Sequence, residues 1–388
     1  MIKMIIALLL CFSFLYTKES KSMSKKSYKI LIESQKLIEQ NKNKEAKSKL
    51  LNLLKNSLNG YEKSFVLQTL ANIAINSNNY TNAIKYYKEI IQLKALEPKT
   101  LDSMKLSLGK IYLSKSNYKL SIKTLKPLLK SSFVNQAEVN ESLAYASFYN
   151  KDYINSISYI KKSIKNEKKE SYYQILYSSY IELKNYKESI NTLKQMVTIW
   201  HKNENYWLQL VALYQETKNH KKALSTFELA YKRGGVNIEK NSLYFVNVLI
   251  QNQLYLKAAQ TLEKAIDKGY LVNNKKNFEL LVSCYNYAKQ KNKVKHLLTN
   301  SDFGKDAKYQ LLLANIHFNE QEYDKSIRTL KKLNTKRASK EEGQKFTLLA
   351  LSFNELEDKK ETKKYLQKAI NNPYEKNRAL NIKKSLQI

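Results

Sequence analysis

The stretch that decides the fold is YWLQLVALYQETKNHKKALSTFELAYKRGG, residues 206–235. Large and small apolar residues recur in it every three or four positions, in two blocks separated by the polar segment TKNH, which predicts a helix, a tight turn and a second helix. The residues on the predicted inner faces are Trp207, Leu210, Val211, Tyr214, Ala223, Phe227 and Ala230. The glycines after Lys232 predict that the second helix ends there, with a glycine in the left-handed conformation.

The same two-helix unit recurs along most of the chain. The small residue of the second helix marks each copy, and the ten markers are Ala46, Ala83, Ser121, Ser156, Ser189, Ala223, Ala258, Val294, Ser326 and Thr362. The mean spacing of successive markers is roughly 35 residues, close to the period of the tetratricopeptide repeat (TPR). We therefore predict an all-α fold, a right-handed TPR superhelix (α-solenoid) of about ten helix-turn-helix repeats over residues 27–374, with a capping helix or tail over residues 375–388.

The composition agrees with an all-helical protein and explains the charge. The 388 residues include only 7 glycines and 3 prolines, too few for the frequent tight turns of a β-rich fold. The formal net charge is +34, but only four of the 68 basic residues are arginine, the side chain that most often recognises phosphates and bases. The lysines are spread over the chain, so we interpret them as a solvated polar face and predict no nucleic-acid partner.

Residues 1–22 predict a signal peptide or an N-terminal anchor. Lys3 precedes the apolar run Met4–Tyr16, which is shorter than the roughly 20 residues that cross a bilayer as a helix. We expect export to the periplasm, with membrane association through the N-terminus if the segment is not cleaved. The mature chain would then hold one cysteine, Cys284, for which the surrounding apolar pattern predicts burial.

No combination of residues predicts catalysis, a cofactor or a metal. The four histidines, at positions 201, 220, 296 and 317, fall in different repeats, and none is spaced for zinc with a second histidine. The chain lacks a phosphate-binding glycine loop and a cysteine pair with metal-ligand spacing. We therefore predict a non-enzymatic scaffold that binds other proteins.

Partner binding is expected on the exposed positions of first helices, next to the core positions, because first helices line the inner surface of such an array. The candidate contact residues in three successive repeats are Gln174, Ser178, Glu182, Leu208, Ala212, Gln215, Leu243, Asn247 and Gln251.

Several stretches also resemble one group of repeat proteins. They are KILIESQKLIEQNKNKEAKSKLLNLL, NGYEKSFVLQTLANIAINSNNYTNAIKYYKEII, NYWLQLVALYQETKNHKKALSTFELAYKRGGV and LYLKAAQTLEKAIDKGYLVNNKKNFELLVSCYNYAKQ. In order and spacing they resemble the exported TPR proteins found with TonB-type energy transducers of Gram-negative bacteria, over most of residues 27–290. The resemblance implies a periplasmic partner of the TonB, ExbB and ExbD inner-membrane complex, which drives uptake of iron complexes and other nutrients.

Other functions stay open at this point. A TPR scaffold for outer-membrane or cell-wall assembly complexes would use similar repeats. A nucleic-acid binder would exploit the positive charge, but the predicted signal argues against it. An enzyme is the least favoured alternative.

Overall fold

The structure, a computed structural model, describes residues 22–387. In that range the backbone forms 21 α-helices and two short 3-10 helices, with no β-strand. The predicted all-α fold is confirmed. The predicted signal or anchor, apart from Ser22, lies outside the described residues. None of the described helices is both long and apolar enough to cross a membrane.

The chain divides into two compact units, one that ends at Thr192 and one that begins at Leu193. The helices of the first unit are α1 (Lys25–Glu39), α2 (Asn43–Leu53), α3 (Gly60–Asn76), α4 (Tyr80–Leu93), α5 (Pro98–Ser114), α6 (Tyr118–Leu125), the 3-10 helix Lys126–Lys130, α7 (Gln136–Tyr149), α8 (Tyr153–Asn166) and α9 (Glu170–Glu182). The boundary falls inside α10 (Tyr186–Ile199). The helices of the second unit are α11 (Glu204–Glu216), α12 (His220–Lys232), α13 (Ser242–Gln251), α14 (Tyr255–Asp267), α15 (Lys275–Tyr287), α16 (Lys291–Asn300), the 3-10 helix Asp302–Lys305, α17 (Ala307–Asn319), α18 (Tyr323–Lys332), α19 (Lys340–Glu355), α20 (Lys359–Ile370) and α21 (Lys376–Ser385).

The helices α1 to α20 form ten hairpins. We call the odd-numbered helix of each hairpin its A helix and the even-numbered helix its B helix. Each of the ten predicted marker residues lies in a B helix, and at most 1% of its surface is exposed. Val294 is completely buried like the other markers, although it is larger than most of them. The register predicted from the sequence is therefore the register of the hairpins.

The markers are small because the two helices of a hairpin approach closely. A Cβ atom at Gly109, on helix A of the third repeat, would lie 2.4 Å from Leu125 on helix B. Where the marker is serine, its hydroxyl keeps a hydrogen bond inside the core. Ser121 donates to the carbonyl of Gly109 at 2.8 Å, and Ser156 donates to the carbonyl of Ala144 at 3.0 Å. The serine hydroxyl that stands where other repeats have alanine is therefore buried but still hydrogen-bonded.

Large side chains fill the remaining space between the helices. The large residues that are buried in this way include Tyr87, Tyr112, Leu125, Tyr180, Leu193, Tyr214, Phe227, Leu262, Leu330 and Phe353. Trp207 is also buried, with 1% of its surface exposed, and its ring N–H donates to the carbonyl of His201 at 2.7 Å. The stretch 206–235 therefore forms one complete hairpin, α11 and α12.

All ten turns from an A helix to a B helix have one geometry. The fifth residue before each marker has φ between 54° and 63°, and none of the ten is glycine. The next residue donates its N–H to a carbonyl five positions back, which closes the A helix with a Schellman motif. In the second repeat Asn79 makes this bond to Ala74 at 2.7 Å, and its side chain then caps α4 by accepting from the backbone of Asn82 at 3.1 Å. One residue ends the first helix and begins the second.

The ends of B helices are more varied. Gly234 has φ of 67°, so the left-handed glycine predicted after Lys232 is confirmed, and Gly269, with φ of 75°, ends α14 in the same way. At the C-terminal end, α21 buries Ala379 in a cluster with residues of α19 and α20. Glu375, at the start of α21, accepts a hydrogen bond from the Thr347 hydroxyl at 3.0 Å. These contacts cover the last hairpin.

Candidate protein-binding surface

Three of the predicted contact residues lie on α9, in the first unit. Gln174 and Glu182 are exposed, and Ser178 is half-buried between them. The hydroxyl of Tyr153, which begins helix B of the preceding repeat, donates to Glu182 Oε2 at 3.2 Å. Glu182 is thus oriented by the neighbouring repeat while it faces solvent.

The other six predicted residues lie on α11 and α13, in the second unit. Ala212, Asn247 and Gln251 are exposed, whereas Leu208, Gln215 and Leu243 are half-buried. The structure joins the two helices by side-chain amides, because Gln215 Nε2 donates to Gln251 Oε1 at 2.7 Å.

Tyr244 completes this hydrogen-bonded row. Its hydroxyl donates to Gln215 Oε1 at 2.7 Å. Burial raises the pKa of Tyr244 to about 12, so the group stays protonated and remains a donor at neutral pH. Gln215 is thereby fixed in orientation, and the side chains of Asn247 and Gln251 lie exposed beside it.

The A and B helices differ strongly in charge. Within their bounds, the ten A helices carry 13 lysines and 14 acidic residues, whereas the ten B helices carry 29 lysines and arginines and only 8 acidic residues. Four successive A helices, α7 and α9 in the first unit and α11 and α13 in the second, contain no lysine or arginine. The positive charge of the chain is therefore sorted between the two kinds of helix.

We define the A-face as the residues 15, 11, 8 and 7 positions before each marker, which include all nine predicted contact residues. Among these 40 positions there is one lysine, Lys110, and it bonds Glu138 at 2.6 Å. Six positions hold glutamate: Glu39, Glu141, Glu182, Glu216, Glu279 and Glu355. Sixteen hold Asn, Gln, Ser or Thr. Their amides and hydroxyls both donate and accept hydrogen bonds, as the backbone of an extended peptide requires.

Comparisons with known proteins support the repeat assignment. A family model described as the tetratricopeptide repeat matches residues 66–95. The matched segment begins at Val66 and the stretch 206–235 begins at Tyr206. Both residues precede the marker of their repeat, Ala83 or Ala223, by the same number of positions. The family model and the spacing of the markers therefore agree on where a repeat begins. The chain is a tetratricopeptide-repeat protein.

Solved structures resemble this TPR protein in fold. It aligns over 89% of its length with 58% of a chain from the structure of Naa15/Naa10 bound to HypK-THB, at 13% identity and a TM-score of 0.50. A TPR protein from Parabacteroides merdae aligns with 66% of this chain and 98% of its own, at 14% identity and a TM-score of 0.40. MamA aligns with 44% of this chain and 92% of its own, at 17% identity and a TM-score of 0.38. No curated protein matches the chain.

Within the described residues, no three histidine, cysteine or acidic side chains are grouped as metal ligands would be. Cys284 is buried as predicted, and burial raises the pKa of its thiol to about 11, which disfavours a thiolate nucleophile. Proteins of this repeat class are generally scaffolds rather than enzymes.

One histidine has a close acidic partner, in the turn of the ninth repeat. His317 Nδ1 lies 2.6 Å from Glu322 Oε2, and Lys325 lies 2.7 Å from the other oxygen of Glu322. Lys325 and His317 together lower the pKa of Glu322 to about 2. These three side chains connect the end of α17 to the start of α18, so we interpret them as a contact that stabilises the turn.

The charge difference between A and B helices was missed by the sequence interpretation, which treated the lysines as evenly spread. The signal was present in the sequence. Once the markers set the register, the lysines can be counted separately for first and second helices. The hydrogen bond between Gln215 and Gln251, by contrast, could not be predicted from the sequence, because the two residues belong to different repeats.

Proposed function

We propose that this TPR protein is an exported, non-enzymatic scaffold in the periplasm that binds protein partners on its A-face. The observation that carries the proposal is the absence of lysine and arginine from α7, α9, α11 and α13, in a chain with 68 basic residues. Long lysine side chains are costly to order and desolvate at an interface, and interface centres are depleted in lysine. In each unit the lysine-free A helices, α7 and α9 in the first and α11 and α13 in the second, are therefore suited to contact.

The partner that we propose is the inner-membrane complex of a TonB-dependent uptake system for iron or other nutrients. The support for this partner is the resemblance of residues 27–290 to the exported TPR proteins found with TonB-type transducers. In this role the A-face would hold a segment of a TonB-, ExbB- or ExbD-type protein, with the exposed amides of Asn247 and Gln251 hydrogen-bonded to it.

Co-purification from the native organism tests the partner. The tagged full chain is crosslinked in intact cells, recovered from the envelope fraction and analysed by mass spectrometry. We expect TonB-, ExbB- or ExbD-type proteins to be recovered with it, and crosslinks to map to α9, α11 or α13. Recovery of cell-wall synthases or outer-membrane assembly proteins instead would contradict the TonB assignment and favour the assembly scaffold.

Fractionation of the same cells tests the location. We expect the chain in the periplasmic fraction, or in the inner-membrane fraction if residues 1–22 are retained. A chain found only in the cytoplasm, bound to soluble proteins, would contradict export and leave the scaffold role without its proposed partner.

A further inference from the structure

One part of the B-helix surface carries lysines in rows. The rows lie at the second, fifth and ninth positions after the markers Ala83, Ser121 and Ser156. These positions share one side of α4 and of α8, and in the third repeat the last two fall in the 3-10 helix that follows α6. The lysines are Lys85, Lys88, Lys123, Lys126, Lys130, Lys161 and Lys165, which we call the basic face. The two remaining positions hold Gln92 and Ser158, and all nine side chains are exposed. The row at the fifth position is lysine in all three repeats.

These lysines have no carboxylate to neutralise them. Across the described residues, none of the seven ammonium groups of the basic face forms an ion pair with an acidic side chain. The helices α6 and α8 contain no acidic residue, and the one in α4, Glu89, bonds Lys63 at 2.6 Å. The face therefore presents its full charge to solvent.

Three repeats of the second unit do not carry this charge. In the sixth, seventh and eighth repeats the same nine positions hold Ser225, Glu228, Lys232, Gln260, Glu263, Asp267, His296, Thr299 and Phe303. They contain one lysine and three acidic residues. A composition that favoured lysine everywhere would load both sets alike, so the contrast indicates a specific use of the basic face.

We propose that the basic face binds the anionic headgroups of a phospholipid bilayer. Its charges are spread over three repeats rather than gathered around one cavity, which suits a surface of distributed charge better than a single small anion. All seven are lysines, compact point charges without the planar fork that reads phosphates and bases in nucleic acids. The nine positions also offer no aromatic ring on which a base could stack.

Vesicle binding by the full chain tests this inference. Partitioning is measured onto two kinds of vesicle, phosphatidylcholine alone and phosphatidylcholine mixed with phosphatidylglycerol. The quantity compared is the ratio of the second partition coefficient to the first. Residues 1–22 are the same in every variant, so a change of this ratio between variants reports the basic face. Each lysine near an anionic bilayer contributes about a fivefold gain. We expect the triple variant Lys88→Gln, Lys126→Gln, Lys161→Gln to lose on the order of a hundredfold in this ratio, and added salt to weaken the wild type.

The matched control removes three lysines that are paired with acids in the second unit. Lys257, Lys293 and Lys308 bond Glu228, Glu263 and Glu279, and the variant Lys257→Gln, Lys293→Gln, Lys308→Gln has the same net charge as the first triple. We expect it to bind like the wild type, and the charge-preserving triple Lys88→Arg, Lys126→Arg, Lys161→Arg to do so too. Thermal melts establish that each variant folds.

Three results would overturn the proposal. They are no preference of the wild type for anionic vesicles, an equal loss in the two glutamine triples, and displacement of the protein from vesicles by a nucleic-acid duplex at equal phosphate concentration. The last result would assign the face to nucleic acid. None of them bears on partner binding by the A-face, so the two proposals fail or stand separately.

Discussion

The A and B helices both contribute buried residues to the core, yet they differ in the charge that they expose. The A helices are close to neutral as a set, while the B helices carry an excess of 21 positive charges. A bias of the genome toward lysine codons acts on every position alike and cannot tell a first helix from a second. Codon bias alone therefore does not explain the difference, and we attribute it to the partner binding proposed for the A-face.

The largest expected effect comes from breaking the packing on which both surfaces depend. Trp207→Ala removes a fully buried ring and its bond to His201, and large-to-alanine changes of this kind cost about 3–5 kcal/mol. Urea denaturation should show this loss. The control is Leu229→Ala in the same hairpin, because Leu229 is 42% exposed and should change the free energy of unfolding by less than about 1 kcal/mol. Equal losses would contradict the assigned core.

Smaller effects on stability are expected from two substitutions of left-handed residues, one in a join between hairpins and one in a turn within a hairpin. At Gly234 φ is 67° and an added Cβ would meet nothing within 4 Å, so Gly234→Ala should cost about 1 kcal/mol from backbone strain alone. At Lys151 φ is 63° in a residue with a side chain. Lys151→Gly relieves that strain but raises the entropy of the unfolded chain, so the two terms should cancel to within about 0.5 kcal/mol. A large loss on Lys151→Gly, measured by the same denaturation, would mean that the lysine side chain itself holds the turn.

The smallest effect is a pH dependence in the turn of the ninth repeat. The pKa of Glu322 is about 2 in the folded chain, below its ordinary value of 4.5. The unfolded chain therefore binds this proton more readily, and the stabilisation is present above about pH 4.5 and lost as the pH falls through about 2. Stability measured across that range should fall less steeply in Glu322→Gln than in the wild type. Parallel curves would show that the contact with Lys325 and His317 does not persist in solution.

Much of the fold was predictable because one spatial requirement recurs. A close approach of two helices requires a small residue, and the ten markers found by spacing are all buried. The details of how polar markers are satisfied were not predictable. Ser121 and Ser156 donate to carbonyls of the facing helix, and that geometry depends on the distance between backbones.

The candidate surface was predictable in position but not in its internal contacts. Spacing from the markers placed all nine residues on A helices, and no observation yet tests whether they bind a partner. The row from Tyr244 through Gln215 to Gln251 depends on the offset between successive repeats, which the sequence does not specify. The turns show the same division, since the left-handed residue recurs at ten positions that hold five different residue types.

The most direct test of the difference between the two helix surfaces is to place lysine on each and measure partner affinity. Asn247→Lys with Gln251→Lys alters the A-face of α13, and Gln260→Lys, exposed on α14, alters the B helix of the same hairpin. Binding of the partner recovered by crosslinking is measured by titration calorimetry. We predict that the A-face variant loses about tenfold or more in affinity, since the loss of about 1.4 kcal/mol at an interface gives a factor of ten, while Gln260→Lys binds like the wild type. Unchanged binding by the A-face variant, or a greater loss from Gln260→Lys, would contradict the account.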